Sequence, residues 1–405
     1  MIHIFDKNRI LIDNRQSNQR RLESQNSYLW RMKKVYLDNA ATTNIYPEVV
    51  QEMTKVLQED FGNPSSSHSF GRQAKSVLEF SRKSIAKELN ATSQEIIFTS
   101  GGTEANNWIL RNAVTVLKVE RIISSKIEHH AVLHVLDALK DEFDIDVDYV
   151  NILSNGEIDI THLVSLLSDT RKTLVSLMHV NNEIGTVLDL DLVGRICKQH
   201  QAYFHSDTVQ SIGKFSFNLQ ELPIDFLVAS AHKFHGPKGV GFAFIRKGLA
   251  ISPVLFGGEQ EKGIRPGTES IHNIAGMAKA LELSLSDLEM QKSYISDLKS
   301  YLISQLQSSF PGFKINGNPE GFYNIINIRL PFSEDKTAMI LFHLDMKGIA
   351  VSRGSACQSG SSKTSHVLAE ILSDKDAIKP SLRISLSKYN TATEIDYLIS
   401  VLKEL

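Results

Sequence analysis

The chain has 405 residues, of which 42% are hydrophobic and 22% are charged, and its formal net charge is −2. This length suits one large domain with a smaller one, and the near-neutral charge offers no basic surface for direct contact with nucleic acid. No apolar run approaches the roughly 20 residues of a membrane helix, and the N-terminus lacks the apolar core of a signal peptide. Two cysteines are too few for a disulfide framework or a Cys-rich metal site. We therefore expect a globular cytoplasmic protein with no membrane partner and no bound metal.

Residues 1–34 show no hydrophobic periodicity and are rich in Arg, Asn, Gln and Ser. Because Met32 opens a segment that reads as a natural start, residues 1–31 are interpreted either as an upstream extension of the reading frame or as a poorly ordered arm. A mitochondrial transit peptide fits less well, because Asp6, Asp13 and Glu23 interrupt the acid-poor pattern of such peptides.

From residue 35 onward, short apolar runs alternate with segments of helical periodicity. Such alternation predicts a mostly parallel sheet covered by helices on both faces. The predicted strands are residues 35–37, 95–100, 121–125, 147–150, 173–178, 203–205 and 226–230, and the predicted helices are residues 48–57, 70–89, 131–140, 160–167 and 190–199.

The pattern changes after residue 269. Residues 274–306 read as long helical material, and short strands at 323–330 and 383–386 then mix with helices at 337–346 and 393–405. We place a domain boundary near residues 285–295. The predicted division is a large domain of residues 41–290 and a small α+β domain of residues 35–40 and 291–405.

Polar clusters follow the predicted strands at the ends where a parallel sheet binds its ligands. Five clusters share this position: Gly102-Thr103, Glu128-His129-His130, Asn181-Asn182, residues 207–210 and residues 230–233. Chance scatter of surface polar residues would not select one end of every strand, so one common site is expected there.

Two of these clusters carry distinct chemistry. Lys233 sits between an apolar strand and a Gly/Pro loop, where an amine can be desolvated enough to condense with a carbonyl; a surface lysine in a turn is the alternative. Gly101-Gly102-Thr103 places backbone N–H groups at a helix start, which suits a phosphate; an ordinary β-α turn with a threonine cap is the alternative. An anion cradle, an amine, an aspartate and a histidine around one cavity are the groups that pyridoxal 5'-phosphate needs.

Nine motifs give the chain a resemblance to the class V aminotransferase-like enzymes, and within them to cysteine desulfurases of the NifS/IscS type. The resemblance covers about residues 35–400 and rests on LDNAATT (37–43), FGNPS (61–65), FTSGGTE (98–104), EH (128–129), MHVNNEIG (178–185), DTVQS (207–211), SAHK (230–233), RPGT (265–268) and GSAC (354–357). It implies the fold type I of pyridoxal-phosphate transferases, with a mostly parallel seven-stranded sheet, and it implies a homodimer.

The resemblance also implies residue roles around the cofactor ring. Lys233 would carry the cofactor as a Schiff base, and Asp207 would pair with the pyridine nitrogen. His129 would stack on the ring and take part in proton transfer, with Asn182 and Gln210 beside the ring and Gln210 at its phenolic oxygen.

By the same resemblance, a second group of residues would hold the phosphate. These are Gly102, Thr103, Ser230 and His232, helped by Thr268 from the second subunit.

Two further roles concern the substrate. Arg383, together with Asn182, would bind the substrate carboxylate in a bidentate pair. Cys357 lies in a small, polar and glycine-containing segment that a long loop follows, and it would attack the substrate sulfur and keep a persulfide. A nearby cation such as Arg353, or the cofactor site, would favour its thiolate. Cys197 follows an isoleucine on a predicted helix and is expected in the core.

The resemblance implies release of sulfur from L-cysteine as L-alanine plus a persulfide, for an acceptor such as an iron-sulfur scaffold or a tRNA-thiolation protein. Two alternatives stay open: a selenocysteine lyase, and a sulfur-handling scaffold that binds the cofactor but turns over little. The chain ends at Leu405, together with the last predicted helix, whereas desulfurases that serve the iron-sulfur scaffold often have a longer tail at this point, so the acceptor is left unnamed.

Overall fold

A computed structural model describes residues 34–334, 336–354 and 365–405. Its strands are β1 Val35–Tyr36, β2 Ile96–Thr99, β3 Arg121–Ser124, β4 Asp146–Tyr149, β5 Thr173–Ser176, β6 Tyr203–Asp207, β7 Phe226–Ser230, β8 Gly241–Ile245, β9 Lys314–Asn316, β10 Ile325–Arg329, β11 Ile349–Ala350 and β12 Ser381–Ser385. Its helices are α1 Pro47–Glu59, α2 Ser69–Glu88, α3 Gly102–Thr115, α4 His130–Phe143, α5 Ile160–Leu166, α6 Leu190–Gln199, α7 Ile271–Ser286, α8 Leu288–Ser309, α9 Lys336–Met346, α10 His366–Ile371, α11 Asp374–Ala377 and α12 Ala392–Leu402.

The main sheet has seven strands in the order β2-β8-β7-β6-β5-β3-β4. All neighbouring strands are parallel except β8, which is antiparallel to both β2 and β7. The predicted mostly parallel seven-stranded sheet is therefore confirmed. Its membership differs from the prediction, because β8, which no sequence pattern had indicated, takes a place inside the sheet between β2 and β7.

Both faces of this sheet are buried. Along each strand, successive side chains enter different hydrophobic clusters: Leu227 packs on one face with α2 and α7, and Val228 packs on the other with α3 and α4. Cys197, on α6, is 1% exposed within the first of these clusters, which confirms its predicted core position, and burial raises the pKa of its thiol.

Two smaller sheets lie in the remainder of the chain. β10 pairs antiparallel with β9 and β12, and β1 pairs parallel with β11. Isolated bridges from Asp38 to Ser385 and from Ser352 to Arg383 join the two sheets. Val35 and Leu37 share a hydrophobic cluster with α8, α9 and α12, which supports our proposal that residues 35–40 belong with residues 291–405 in the small domain.

The long helical material predicted over residues 274–306 is divided between two helices. The chain forms α7 and α8, separated at Asp287, whose φ of −121° and ψ of 27° interrupt the helix. Helical periodicity continues on both sides of Asp287, so the sequence pattern could not reveal the interruption. None of the helices in the described ranges is long and apolar enough to cross a membrane.

Candidate active site

A cavity of about 250 Å³ opens where several strands of the main sheet end. Ten of the residues singled out from the sequence line it together: Gly102, Thr103, His129, Asn182, Asp207, Gln210, Ser230, His232, Lys233 and Arg383. Nine of them follow strands β2, β3, β5, β6 and β7 or end them, whereas Arg383 comes from β12. The fold therefore brings residues from distant parts of the chain to one sheet edge, as the strand-end argument predicts.

Lys233 ends a single 3₁₀ turn, Ala231–Lys233, directly after β7. Its Nζ donates hydrogen bonds to the carbonyl oxygens of Ala40, at 2.7 Å, and Ala41, at 2.8 Å. These carbonyls belong to the segment after β1 and position the amine at the cavity wall. Sequence reasoning missed them, because a main-chain carbonyl leaves no signal in residue type.

Asp207 is buried at the end of β6, and both of its carboxylate oxygens accept hydrogen bonds. Oδ2 accepts from Nδ2 of Asn106 at 2.7 Å, and Oδ1 accepts from the backbone N–H of Val209 at 3.0 Å. The two bonds hold the carboxylate in one orientation at the cavity. The role of Asn106 was also missed, although it lies only one helical turn after Gly102.

The anion cradle is the start of α3. Its first turn presents backbone N–H groups with no partner inside the helix, which is the arrangement that binds phosphate. Gly102 is required by packing, because a Cβ at this position would lie 2.5 Å from Cγ2 of Val209. Thr103 and Ser230 add hydroxyl groups to the cavity wall.

His232 and His129 are both held neutral near pH 7. Burial, helped by the positive charges of Lys233 and Lys238, lowers the pKa of His232 to about 4, and its Nδ1 lies 3.2 Å from Oγ1 of Thr42. Burial also lowers the pKa of His129; the negative charge of Asp207 opposes this shift. His129 caps α4, and its Nδ1 accepts from the backbone N–H of Ala131 at 3.1 Å, so the ring proton of the neutral form lies on Nε2.

Glu128, the residue before His129, is a buried acid that sequence reasoning did not assign. Its Oε1 accepts from the backbone N–H of Met178 at 2.8 Å and from Oγ of Ser125 at 3.1 Å. Burial, with a smaller contribution from the charge of Asp207, raises the pKa of Glu128 to about 8. The protonated side chain thus joins the ends of β3 and β5 beneath the cavity wall.

The guanidinium of Arg383 is 1% exposed and already has protein partners. Nη1 donates to the carbonyl oxygen of Asn182 at 2.9 Å, and Nη2 donates to Oδ1 of Asp38 at 2.7 Å. Its Nε has no hydrogen-bond partner among the described groups. Gln210 donates from Nε2 to the carbonyl oxygen of Ala40 at 2.9 Å, which leaves its buried Oε1 without a described partner.

Among the described residues, one predicted site residue, Thr268, does not line the cavity. Thr268 is exposed, and its predicted reach into a second subunit stays a prediction. Cys357 lies in residues 355–364, outside the described residues. The described residues on either side of this segment, Gly354 and Ser365, both lie beside the Glu183 carboxylate. Oγ of Ser365 donates to Oε2 of Glu183, and a Cβ added to Gly354 would lie 3.1 Å from the same oxygen. The segment that carries Cys357 therefore begins and ends beside the neighbour of Asn182 in the cavity wall.

The donor set fits pyridoxal 5'-phosphate. The helix start and its hydroxyls suit the phosphate, the fixed carboxylate of Asp207 suits a protonated ring nitrogen, and Lys233 suits the aldehyde. The glycine at position 102 and the unpartnered Oε1 of Gln210 leave room and hydrogen-bonding capacity for a ligand. Over residues 34–334, 336–354 and 365–405 no group of His, Cys, Asp and Glu could hold a metal ion.

Comparison with known proteins identifies the family of this chain. Residues 35–398 match Aminotransferase class-V. The chain belongs to this family. "Cysteine desulfurase IscS" of Dictyoglomus turgidum is 41% identical over 376 residues, which cover 92% of this chain and 94% of that protein. A solved "NIFS-LIKE PROTEIN" is 37% identical with a TM-score of 0.85 and covers 92% of this chain and 99% of its own.

A third relative, solved as "SspA in complex with cysteine", is 29% identical with a TM-score of 0.77, over 88% of this chain and 100% of its own. These class V relatives confirm the resemblance to NifS/IscS-type desulfurases that the sequence predicted. They likewise confirm the fold type I architecture and the prediction of a pyridoxal-phosphate enzyme.

Proposed function

We propose that this chain is a cysteine desulfurase that takes sulfur from L-cysteine, releases L-alanine and holds the sulfur as a persulfide on Cys357. The observation that carries the proposal is the convergence of Lys233, Asp207, His129 and Arg383 on one cavity. The segment with Cys357 is attached beside that cavity through Glu183. The names of the relatives support the same activity.

Different residues of the chain would bind different parts of the cofactor. Gly102, Thr103, Ser230 and His232 would hold the phosphate, and Lys233 would attach the aldehyde. Asp207 would keep the ring nitrogen protonated. When bound, pyridoxal phosphate withdraws electrons from the substrate's Cα and so eases cleavage of bonds at Cα and Cβ.

Two residues would act on the substrate itself. Arg383 would bind the carboxylate through its Nε and Nη groups, with Asp38 and the Asn182 carbonyl fixing the guanidinium plane. His129, neutral and with its proton on Nε2, would stack on the ring and move protons between substrate atoms.

In the sulfur step, one sulfur atom passes from the substrate thiol to the thiolate of Cys357. The Cys357 thiolate attacks the substrate sulfur, an S–S bond forms and the Cβ–S bond breaks. The electron pair of the broken bond goes to the substrate carbon, which takes a proton and becomes the methyl group of alanine. Cys357 keeps the added sulfur, and a second thiol on an acceptor protein can then remove it.

We also propose that the protein acts as a cytoplasmic homodimer that passes sulfur to an iron-sulfur scaffold or a tRNA-thiolation protein. Supporting the dimer, Phe256 is 92% exposed and Leu255 55% exposed, on the same segment as exposed Thr268. Arg265 of this segment donates to Glu104 at 2.7 Å, in the first turn of α3, so the segment lies beside the phosphate cradle. A second subunit could cover these apolar side chains and receive Thr268.

The test is an assay of purified protein with L-cysteine and a reductant, measuring sulfide and alanine together. We expect equal amounts of both, and mass spectrometry should find one added sulfur atom on Cys357. Cys357→Ala should abolish both products, whereas Cys197→Ala should leave them unchanged. Alanine from selenocysteine alone, surviving Cys357→Ala, would indicate a selenocysteine lyase. No product from either substrate would indicate a non-catalytic scaffold.

A further inference from the structure

A second, smaller cavity of about 30 Å³ lies next to the wall of the active site. It is enclosed by side chains that precede α7 and by side chains that follow it, among them Tyr46, Lys214 and His235 on one side and Tyr323, Asn324 and Lys388 on the other. Two lysines and one histidine line this cavity, whereas no aspartate or glutamate of the described ranges does. The cavity is therefore polar and carries only positive charge on its wall.

Lys214 is the buried cation of this cavity. It is 8% exposed, and its Nζ donates to the carbonyl oxygen of Gln210, a residue of the active-site wall, at 3.2 Å. Burial, and after it the positive charge of Lys233, lowers the pKa of Lys214 to about 7, and no described carboxylate opposes this shift. Because buried charges in proteins are normally paired, the protonated form of Lys214 lacks a counterion.

A second buried lysine shows what a satisfied partner set looks like in this protein. Lys299 is also 8% exposed, but its Nζ donates to two carbonyl oxygens, those of Gly321 at 3.4 Å and Phe322 at 3.0 Å. Lys299 does not line the cavity. It is therefore the matched reference for the effect of burying an ammonium without this cavity beside it.

The remaining ionisable groups on the wall do not supply a counterion. Nζ of Lys388 lies 4.2 Å from the centre of the Tyr46 ring, and burial lowers the pKa of Lys388 while the charges of Asp287 and Glu48 oppose this shift from outside the cavity. Burial lowers the pKa of His235 to about 4, so His235 is neutral at pH 7. Lys214 is thus the buried positive charge for which a ligand could compensate.

Two neutral side chains on the wall have unused hydrogen-bonding groups. Nε2 of Gln291 has no partner among the described groups, so it can donate to an anion. Nδ2 of Asn324 donates to the carbonyl oxygen of Leu386 at 3.3 Å, while its Oδ1 has no described partner and needs a donor such as a water. One buried water needs roughly 10–15 Å³, so the cavity has room for one small ion and one water.

We propose that this cavity binds one small monovalent anion, such as chloride, between Nζ of Lys214 and Nε2 of Gln291, with a water between the anion and Oδ1 of Asn324. The anion is the counterion of Lys214. It joins side chains that precede α7 to side chains that follow it, and so it stabilises their packing. The proposal is independent of the desulfurase activity.

Thermal unfolding of the full chain in 0.5 M sodium chloride and in 0.5 M sodium gluconate tests this, because gluconate is too large for the cavity. The chloride increment is the unfolding midpoint in chloride minus the midpoint in gluconate. If chloride binds with a dissociation constant of about 10 mM, this increment should be about 2–3 °C larger in the parent than in Lys214→Met. Lys299→Met, at the matched buried lysine, should keep the increment of the parent.

A second variant and a direct measurement guard against a Lys214→Met chain that does not fold. Gln291→Leu should also reduce the chloride increment, because it removes the second donor. Crystals of the parent grown in sodium bromide should show one anomalous peak in this cavity, in contact with Nζ of Lys214. A cavity that holds only water in bromide, or equal chloride increments in the parent and Lys214→Met, would overturn the proposal.

Discussion

Nη2 of Arg383 donates a 2.7 Å hydrogen bond to Oδ1 of Asp38, which joins β12 to the segment that follows β1. Oδ2 of Asp38 accepts in turn from Oγ of Ser352 at 2.9 Å. Two residues further along, the same segment supplies the Ala40 carbonyl that accepts from Lys233. One short stretch of chain thus orients both the cation proposed for the substrate carboxylate and the amine proposed for the cofactor.

Replacing Arg383 with lysine should mainly weaken cysteine binding. A lysine ammonium cannot offer a planar pair of donors, and a charged hydrogen bond contributes about 1.5–3 kcal/mol, so KM for L-cysteine should rise about 10- to 100-fold. Steady-state kinetics of Arg383→Lys measure this, and the cofactor absorption spectrum should stay unchanged. Arg195→Lys on the exposed face of α6 is the matched control. A KM equal to that of the parent would remove Arg383 from the substrate site.

Asn106 is a positioning residue that acts through Asp207. Removal of its 2.7 Å hydrogen bond with Asn106→Ala should lower kcat about 10- to 100-fold, because the carboxylate loses a partner that contributes about 1.5–3 kcal/mol. The absorption maximum of the bound cofactor should shift as well, which a purely structural defect would not cause. Asn107→Ala, one residue along on the exposed side of α3, should change neither quantity.

Gly102→Ala should impair cofactor binding through a steric clash that a second substitution can relieve. The new Cβ would meet Cγ2 of Val209 at 2.5 Å, which forces the start of α3 to move. We expect cofactor affinity to fall about tenfold, at a cost of about 1.4 kcal/mol or more. Equilibrium dialysis with absorption measurement checks this. Val209→Ala in the same chain should restore most of the affinity, and a double variant as weak as Gly102→Ala would contradict the proposed clash.

Glu128 should make the protein less stable as the pH rises. The pKa of Glu128 is raised from 4.5 to about 8 in the folded state. The contribution of its protonated side chain to the free energy of unfolding is therefore fully present below pH 4.5 and is lost as the pH rises through about 8. Glu128→Gln removes this loss. The difference in free energy of unfolding, variant minus parent, should increase by up to about 1.4 kcal/mol per pH unit between pH 5 and pH 8.

Urea denaturation of the parent and Glu128→Gln across this pH range measures the effect. Glu221→Gln, at an exposed carboxylate, is the control and should follow the parent. Parallel pH curves for the parent and Glu128→Gln would show that Glu128 does not carry the pH dependence.

The sequence by itself determined the parallel sheet, because alternating apolar strands and amphipathic helices are local patterns that report burial directly. It also determined that polar residues at the ends of those strands share one edge, which placed Lys233, Asp207 and His129 in a single cavity. Local patterns did not reveal the interruption at Asp287 or the insertion of β8 beside β7. Both depend on tertiary packing rather than on periodicity.

Only the tertiary structure decided which groups hold the predicted site residues. Lys233 donates to the backbone carbonyls of Ala40 and Ala41, and Arg383 donates to Asp38, which is 345 residues away in the chain. Carbonyl oxygens are the same in every residue type, and a contact over such a separation exists only after the sheets have assembled. Residue types could therefore indicate the chemistry of this site, whereas its orientation and electrostatics come from long-range packing.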